Sequence, residues 1–309
     1  MIALPYLHLF GAATPTGEAF RECVASANDE WRLHAYSRRG AGQSAGSGTT
    51  HHADFTNPDG FQPAGEPGAL AIWISFGPIW LLAPFLERLA REHPERLAGL
   101  RGLIACSSSS AITKRFAANR FDRDLVARLS DAEERLLATC HRLNVHCRIL
   151  QPTLIYGQAG PYGDRNISRL LRLMRRLPLL PLPAHTGLRQ PIHASQLAAA
   201  ALHLSEHLHG SFRDAPQPER IPLGGDTTLS YTAMLKRLQE TLPPRDPARR
   251  CLLLPVPNPL YMLLAAPLLL LSPKAFEAVL RMSANLCGFT SAHQLLGRAP
   301  QPFPLLPLA

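Results

Sequence analysis

The first half of the chain alternates short apolar runs with longer amphipathic stretches. Leu7-His8-Leu9-Phe10 is such a run, and after a glycine turn the residues from Gly17 to about Ala27 read as a helix. Residues 31–36 read as a second strand, and Ala53-Asp54-Phe55 as the edge of a short third. Ala69-Leu70-Ala71-Ile72-Trp73-Ile74-Ser75 is continuously apolar, as expected of a parallel strand covered on both faces. Gly77-Pro78 breaks it, and a helix is predicted from there through about Glu92. Residues 102–106 and 145–150 supply two more strands. Between them Ser130-Asp131-Ala132-Glu133 has the spacing of a capping box, predicting a helix that ends near His141. Strands alternating with helices predict an α/β, doubly wound parallel sheet with ligands at the carboxyl ends of its strands.

The second half is less regular. Residues 193–208 read as a helix of a smaller lobe, 221–223 as a short strand, and 229–242 as a further helix entered from Leu229-Ser230-Tyr231. Residues 258–272 are the most apolar stretch, but they fall short of the roughly 20 residues that span a bilayer, and Pro267 interrupts them. A core segment is the first expectation. Contact with an anionic membrane is the second, because the chain carries a formal charge of +9.

That charge favours anionic partners. The arginines are scattered, however, and no interleaved aromatic and basic motif is present, so nucleic acid is not expected. Six cysteines lie far apart without a C-x-x-C pair, and the glycine turn arrives by residue 11 where a signal peptide would run. The expectation is a cytoplasmic setting with free thiols. Cys140-His141 and His146-Cys147 lack metal-ligand spacing and are expected to be buried thiols and surface histidines, with no metal.

Candidate chemistry begins at the first turn. Gly11, Thr14 and Gly17 follow the G-x-x-G-x-x-G spacing, with threonine where the second glycine belongs. Such a turn lets the backbone approach a pyrophosphate, so Gly11, Ala13, Thr14, Pro15, Thr16 and Gly17 are candidate contacts of a dinucleotide. Ser37-Arg38-Arg39-Gly40 ends the second strand, where arginine accommodates a 2′-phosphate. Arg38 and Arg39 thus lean the cofactor towards NADP rather than NAD, and Asp54 is placed to reach the adenine. Ser108 and Ser109, in the serine run after Cys106, could polarise a carbonyl, and Lys114 follows close behind them.

Several segments then resemble, in order, the extended and atypical short-chain dehydrogenase/reductases of the nucleotide-sugar epimerase/dehydratase group. Gln151-Pro152-Thr153-Leu154-Ile155-Tyr156-Gly157 is similar to the family's RPTLIYG element, with glutamine for arginine. Gly163-Asp164-Arg165-Asn166-Ile167-Ser168 resembles GDRNIS, Gly187-Leu188-Arg189-Gln190-Pro191-Ile192-His193 resembles GLRQPVH, and residues 296–303 resemble the family's C-terminal ending. The resemblance implies a Rossmann domain over residues 1–160, to which segments around 187–210 return, and a substrate lobe over most of 161–309. It also implies a nucleoside-diphosphate sugar contacted by Asn166 and Arg189, with Tyr156 near it, and leaves a homodimer open.

The family's tyrosine and lysine, four residues apart, are missing: Val126 and Ser130 stand at those positions. The implied activity is an NAD(P)-dependent epimerase, dehydratase or 4-keto reductase whose proton donor is unassigned. The alternative is a non-catalytic nucleotide-binding protein of the same fold that uses the pocket for sensing or assembly, and a third option is a membrane-peripheral partner of a glycan-assembly complex, using the segment after Asn258. Arg165, Arg169, Arg172 and Arg176 recur along one helical face, expected to be mostly solvated.

Overall fold

A computed structural model describes residues 4–27, 31–38, 50–117, 119–209 and 218–308. The Gly/Ser-rich loop after residue 39, and Arg39 itself, lie outside the described residues. The strands of the principal sheet are β1 (Tyr6–Phe10), β2 (Arg32–Ser37), β3 (Thr50–His52) and β4 (Ala71–Ser75). They continue with β5 (Leu100–Cys106), β6 (His146–Pro152), β7 (Arg220–Gly224) and β8 (Thr290–Ser291). All pair in parallel, in the order β8-β7-β6-β5-β4-β1-β2-β3. Strand order reverses between β1 and β4, which is where such sheets bind ligands.

Alternation along the strands divides the side chains between two cores. Tyr6 and Phe10 of β1 and Trp73 of β4 join the core beneath α2 (Ile79–Glu92) and α3 (Arg120–Arg142). Leu7, Leu9, Ile72 and Ile74 join the opposite core, beneath α1 (Pro15–Ala25) and α5 (Ala194–His209). α5, whose own pattern read as a helix of the smaller lobe but which lies within the segments around 187–210 that the resemblance returns to the first domain, packs on α1 and the main sheet. Its buried alanines at 194, 198, 200 and 201 let it lie close to its neighbours.

Three sequence expectations shift. The third strand is residues 50–52, and Ala53-Asp54-Phe55 lies just beyond it. Ser130 does not start a helix: α3 begins ten residues earlier, where the Asn119 side chain accepts the Asp122 N–H. Nothing between Arg120 and Ser130 breaks a helix, and Leu129 continues the buried stripe of Leu136 and Cys140, so the apparent capping box is helix interior. The apolar stretch after Asn258 is not core. It forms α7 (Asn258–Ala265) and α8 (Pro267–Leu271), and Ala265 is the one buried residue of the two. Each is too short to span another layer, and Pro267 separates them.

The second lobe packs α4 (Asn166–Arg176) against α6 (Tyr231–Thr241) through Ile167, Leu171, Met174, Met234, Leu235 and Leu238. A parallel pair, Leu179–Pro183 with Leu252–Val256, borders it, and α9 (Pro273–Met282) follows α8. No helix among the described residues is long and apolar enough to cross a membrane.

His8 is the polar exception within β1. It is buried, with Nδ1 2.8 Å from the Tyr36 hydroxyl, and Tyr6, His34 and Tyr36 surround its ring. Burial, with repulsion from His34 and His51, pushes its pKa down to about 3. The folded protein thus excludes a proton that the unfolded chain takes up below its ordinary value of about 6.5. Stability contributed by neutral His8 is complete above that value and falls by up to about 1.4 kcal/mol per pH unit on the way down to the folded pKa. Urea unfolding of wild type and His8→Gln between pH 7 and 4 should show the variant's acid slope reduced by close to one proton; equal slopes would remove His8 from the account.

Candidate active site

The turn after β1 keeps its tight geometry despite Thr14. Gly11 has φ +79°, and a Cβ there would lie 2.9 Å from the Gly77 nitrogen in the turn after β4. At Gly17 a Cβ would fall 2.3 Å from the Gly11 carbonyl oxygen. These two positions admit only glycine without moving backbone. Thr14 is the N-cap of α1: its hydroxyl donates to the Gly11 carbonyl at 2.8 Å and accepts the Gly17 N–H at 3.0 Å. Threonine thus replaces the second glycine with a side-chain brace. Pro15 occupies the first turn and brings no N–H, while Thr16 is buried and Ala13 exposed. The bare backbone between β1 and α1 is a cradle that a dinucleotide's phosphates fit.

Arg38 is exposed at the end of β2. Asp54 accepts hydrogen bonds from the Thr56 N–H at 2.9 Å and the Thr56 hydroxyl at 2.8 Å. Those bonds, then the charges of Arg38 and His52, hold its carboxyl below the usual carboxylate range.

Beside the ends of β5 and β6 lies a cavity of about 870 Å³. Ser109, Thr113 and Thr153 line it from the sheet side; Asn166, Arg169, Arg172, Leu173 and Arg176 line it from α4; Arg189, Tyr231, Met234, Ala278 and Met282 complete the wall. Among the predicted residues, Ser109, Asn166 and Arg189 are brought together here, whereas Ser108, Lys114 and Tyr156 are not part of the lining. Ser108 Oγ accepts the Ser110 N–H at 3.1 Å. Lys114 Nζ donates to the buried Asp122 carboxylate at 2.7 Å. Tyr156 is buried between Phe303 and His193, and its hydroxyl accepts the Leu305 N–H at 2.9 Å. Burial pushes that phenol up to about 12. Tyr156 is therefore a structural joint, as is Lys114, whose charge is already paired.

Arg189 is buried, and both of its terminal nitrogens are engaged. Nη1 donates to the carbonyls of Leu188 (2.8 Å) and Ala284 (2.6 Å), and Nη2 to that of Arg281 (2.6 Å). It caps the chain leaving α9 while presenting its edge to the cavity. Burial lowers its pKa from the ordinary guanidinium value. The α4 arginines are exposed, as expected of a solvated face, and Arg169, Arg172 and Arg176 also line the cavity, while Leu171 and Met174 anchor the helix in the lobe core. Tyr231 and Met234 carried no motif and were not legible as site residues.

The resemblance motifs meet in space. Ile155 and Tyr156 pair in parallel with Ile192 and His193. A Cβ at Gly157, φ +102°, would lie 2.1 Å from the His193 ring. Asp164 accepts N–H bonds from Ile167 at 2.6 Å and Gly157 at 3.2 Å, joining two motifs at the start of α4. Residues 301–308 strap this joint: the Pro307 carbonyl accepts the Gln158 N–H at 3.0 Å, and the Gln301 N–H donates to Asp226 at 3.0 Å.

The glutamine at 151 has a counterpart. Glu133 is buried on α3 and receives the Ser107 hydroxyl at 2.5 Å, the Gln151 amide at 3.0 and 2.9 Å, and Arg220 Nε of β7 at 3.0 Å. The positive charge expected on β6 is supplied by the neighbouring strand.

No protein-family profile matches the chain, and no curated protein sequence matches it. Solved structures do. The chain superposes on UDP-glucuronic acid 4-epimerase from Bacillus cereus in complex with NAD at TM-score 0.63 and 12% identity, covering 96% of this chain and 94% of that one. UDP-glucose 4-epimerase from Brucella ovis in complex with NAD gives 0.53 at 17%, with 85% and 91% covered. For dTDP-glucose 4,6-dehydratase from Bacillus anthracis in complex with NAD the values are 0.53 at 13%, with 82% and 84% covered. At these identities what is shared is the fold, and it is the Rossmann-like fold that the motifs led one to expect.

Two expected outcomes test this geometry. Thr14→Ala should cost about 1 kcal/mol and Thr14→Gly only a few tenths in thermal or urea unfolding, as for other N-caps. Gln151→Arg combined with Arg220→Gln should be more stable than the two single changes predict by about 1–2 kcal/mol, since the variants share one carboxylate; an additive cycle would show that Glu133 does not couple them.

Proposed function

We propose that this protein binds a nicotinamide dinucleotide over the turn after β1 and a nucleoside-diphosphate sugar in the adjacent cavity. We read it as an NAD(P)-dependent epimerase, dehydratase or 4-keto reductase of that sugar. The observation that supports this reading is the placement of hydroxyls and arginines around one cavity at the strand ends: Ser109, Thr113 and Thr153 from the sheet, Arg169, Arg172 and Arg176 from α4. Solved structures of the same fold include NAD complexes of two UDP-sugar epimerases and a dTDP-sugar dehydratase.

Gly11, Gly17 and the backbone from Ala13 to Thr16 would hold the pyrophosphate, Arg38 and Arg39 a 2′-phosphate, and Asp54 the adenosine end. A bound nicotinamide would supply hydride acceptance and return. The chain's own part is positioning. The arginines neutralise a diphosphate, with guanidinium forks suited to its oxygens. Ser109 donates a hydrogen bond to the reacting sugar oxygen. Leu154, Leu170, Leu173 and Met282 exclude water from the reacting end.

A second reading has one observation in its favour. Val126 and Ser130 occupy the positions of the family's tyrosine and lysine on α3, while the hydroxyl of Tyr156 and the charge of Lys114 are engaged elsewhere. A protein that binds both ligands without turning them over would look the same.

Calorimetric titration with NADPH and NADH, repeated on Arg38→Ala, separates these readings when paired with hydride exchange. Arg38→Ala should weaken NADPH at least tenfold, about 1.4 kcal/mol, and leave NADH unchanged. Exchange of label from NADPH into a UDP- or dTDP-sugar would establish the enzyme. Tight binding without exchange would establish the binding protein, and no binding of either dinucleotide would overturn both.

A further inference from the structure

α7 and α8 turn their leucines outward. Leu263 is 70% exposed, Leu270 88% and Leu271 81%. Single exposed leucines need no explanation, but a cluster on adjoining short helices does. The cluster continues onto α3: Lys274 at the start of α9 lies with Nζ 6.0 Å from the ring centroid of Phe121, which is 67% exposed. Lys274 stands three residues after Leu271, so the exposed leucines run on along the chain into this pair.

The charge around that face is predominantly basic. From residue 247 to residue 276 the chain contains no Asp or Glu, but it does contain Arg249, Arg250 and Lys274, and the next carboxylate, Glu277, is paired with Arg281. On the α3 side Asp122 is buried and held by Lys114 and Arg281, and Asp124 is paired with Arg120, while the Arg115 guanidinium lies 5.8 Å from the ring centroid of exposed Phe116. An apolar surface with a predominantly basic surround suits the interface of an anionic bilayer, where leucines enter the acyl boundary and lysine and arginine meet headgroups. A second copy of the chain fits poorly, because self-association through this face would bring like charges together. A spanning segment is excluded by length and by Pro267.

We propose that the α7–α8 segment, with Phe121 and Lys274, is a docking surface for an anionic lipid bilayer. Docking sets the cavity beside the bilayer: Tyr261 of α7 donates its hydroxyl to Met282 Sδ at 3.2 Å, and Met282 with Ala278 of α9 lines the cavity wall. The surface stands whether or not the cavity holds a nucleotide sugar.

The test is co-sedimentation of the full chain with vesicles of mixed phosphatidylglycerol and phosphatidylcholine, and with phosphatidylcholine alone. Wild type should sediment with the anionic vesicles and at least tenfold more weakly with the neutral ones, and 0.5 M NaCl should reduce the binding. Leu270→Asp with Leu271→Asp should abolish binding and leave the melting temperature and NADPH titration unchanged; Leu263→Asp with Leu264→Asp serves as a second variant should the first unfold. Wild type remaining in the supernatant would overturn the proposal. So would leucine variants that bind like wild type, or sedimentation velocity showing a dimer that these variants dissociate.

Discussion

Two backbone turns in contact set the terms for the rest of this structure. The turn after β1 and the turn after β4 meet where the strand order reverses, and Gly11 fits against Gly77 with no room for a side chain between them. A parallel sheet with helices on both faces can open a crevice only at such a reversal. Every other feature of the site is arranged relative to that contact: α1 starts from it, β5 and β6 end beside it, and the second lobe is placed opposite by the segment after β6.

Much of this was legible because it repeats a period or a turn rule. Residues 71–74 are apolar without alternation because both faces are covered, and the core assignments of Ile72, Trp73 and Ile74 follow from that. The length of α3 was not legible, since Ser130 and Glu133 imitate a helix start and only the burial of Leu129 with Leu136 shows the helix already running. The site was half legible. Asn166 and Arg189 sit in motifs, whereas Tyr231 and Met234 reach the cavity through lobe packing that no local pattern encodes. Tyr156 misled for a physical reason: a tyrosine at a strand end offers the same sequence signal whether its hydroxyl faces a ligand or accepts a backbone N–H, as it does from Leu305.

Departures from the motif patterns alter side chains here while the backbone geometry holds. The turn keeps its shape with Thr14 in place of a glycine, because a hydroxyl bridging Gly11 and Gly17 does the work of conformational freedom. Glu133 has a guanidinium partner from β7, Arg220, while β6 offers it the amide of Gln151. Arg189 serves the fold as well as the cavity, since its terminal nitrogens hold the carbonyls where α9 ends. A residue that does both is constrained twice over.

The strap formed by residues 301–308 bears on how the chain matures. It covers Tyr156 and contacts His193, a joint made by segments synthesised about 110 residues or more earlier, and Asp226 waits for Gln301 in the same way. During translation those rings and that carboxylate are without their final neighbours until residue 308 has left the ribosome. The sheet from β1 to β6 can assemble meanwhile, but the second lobe closes only afterwards, and the nascent chain presents that incomplete joint to chaperones and proteases in the interval.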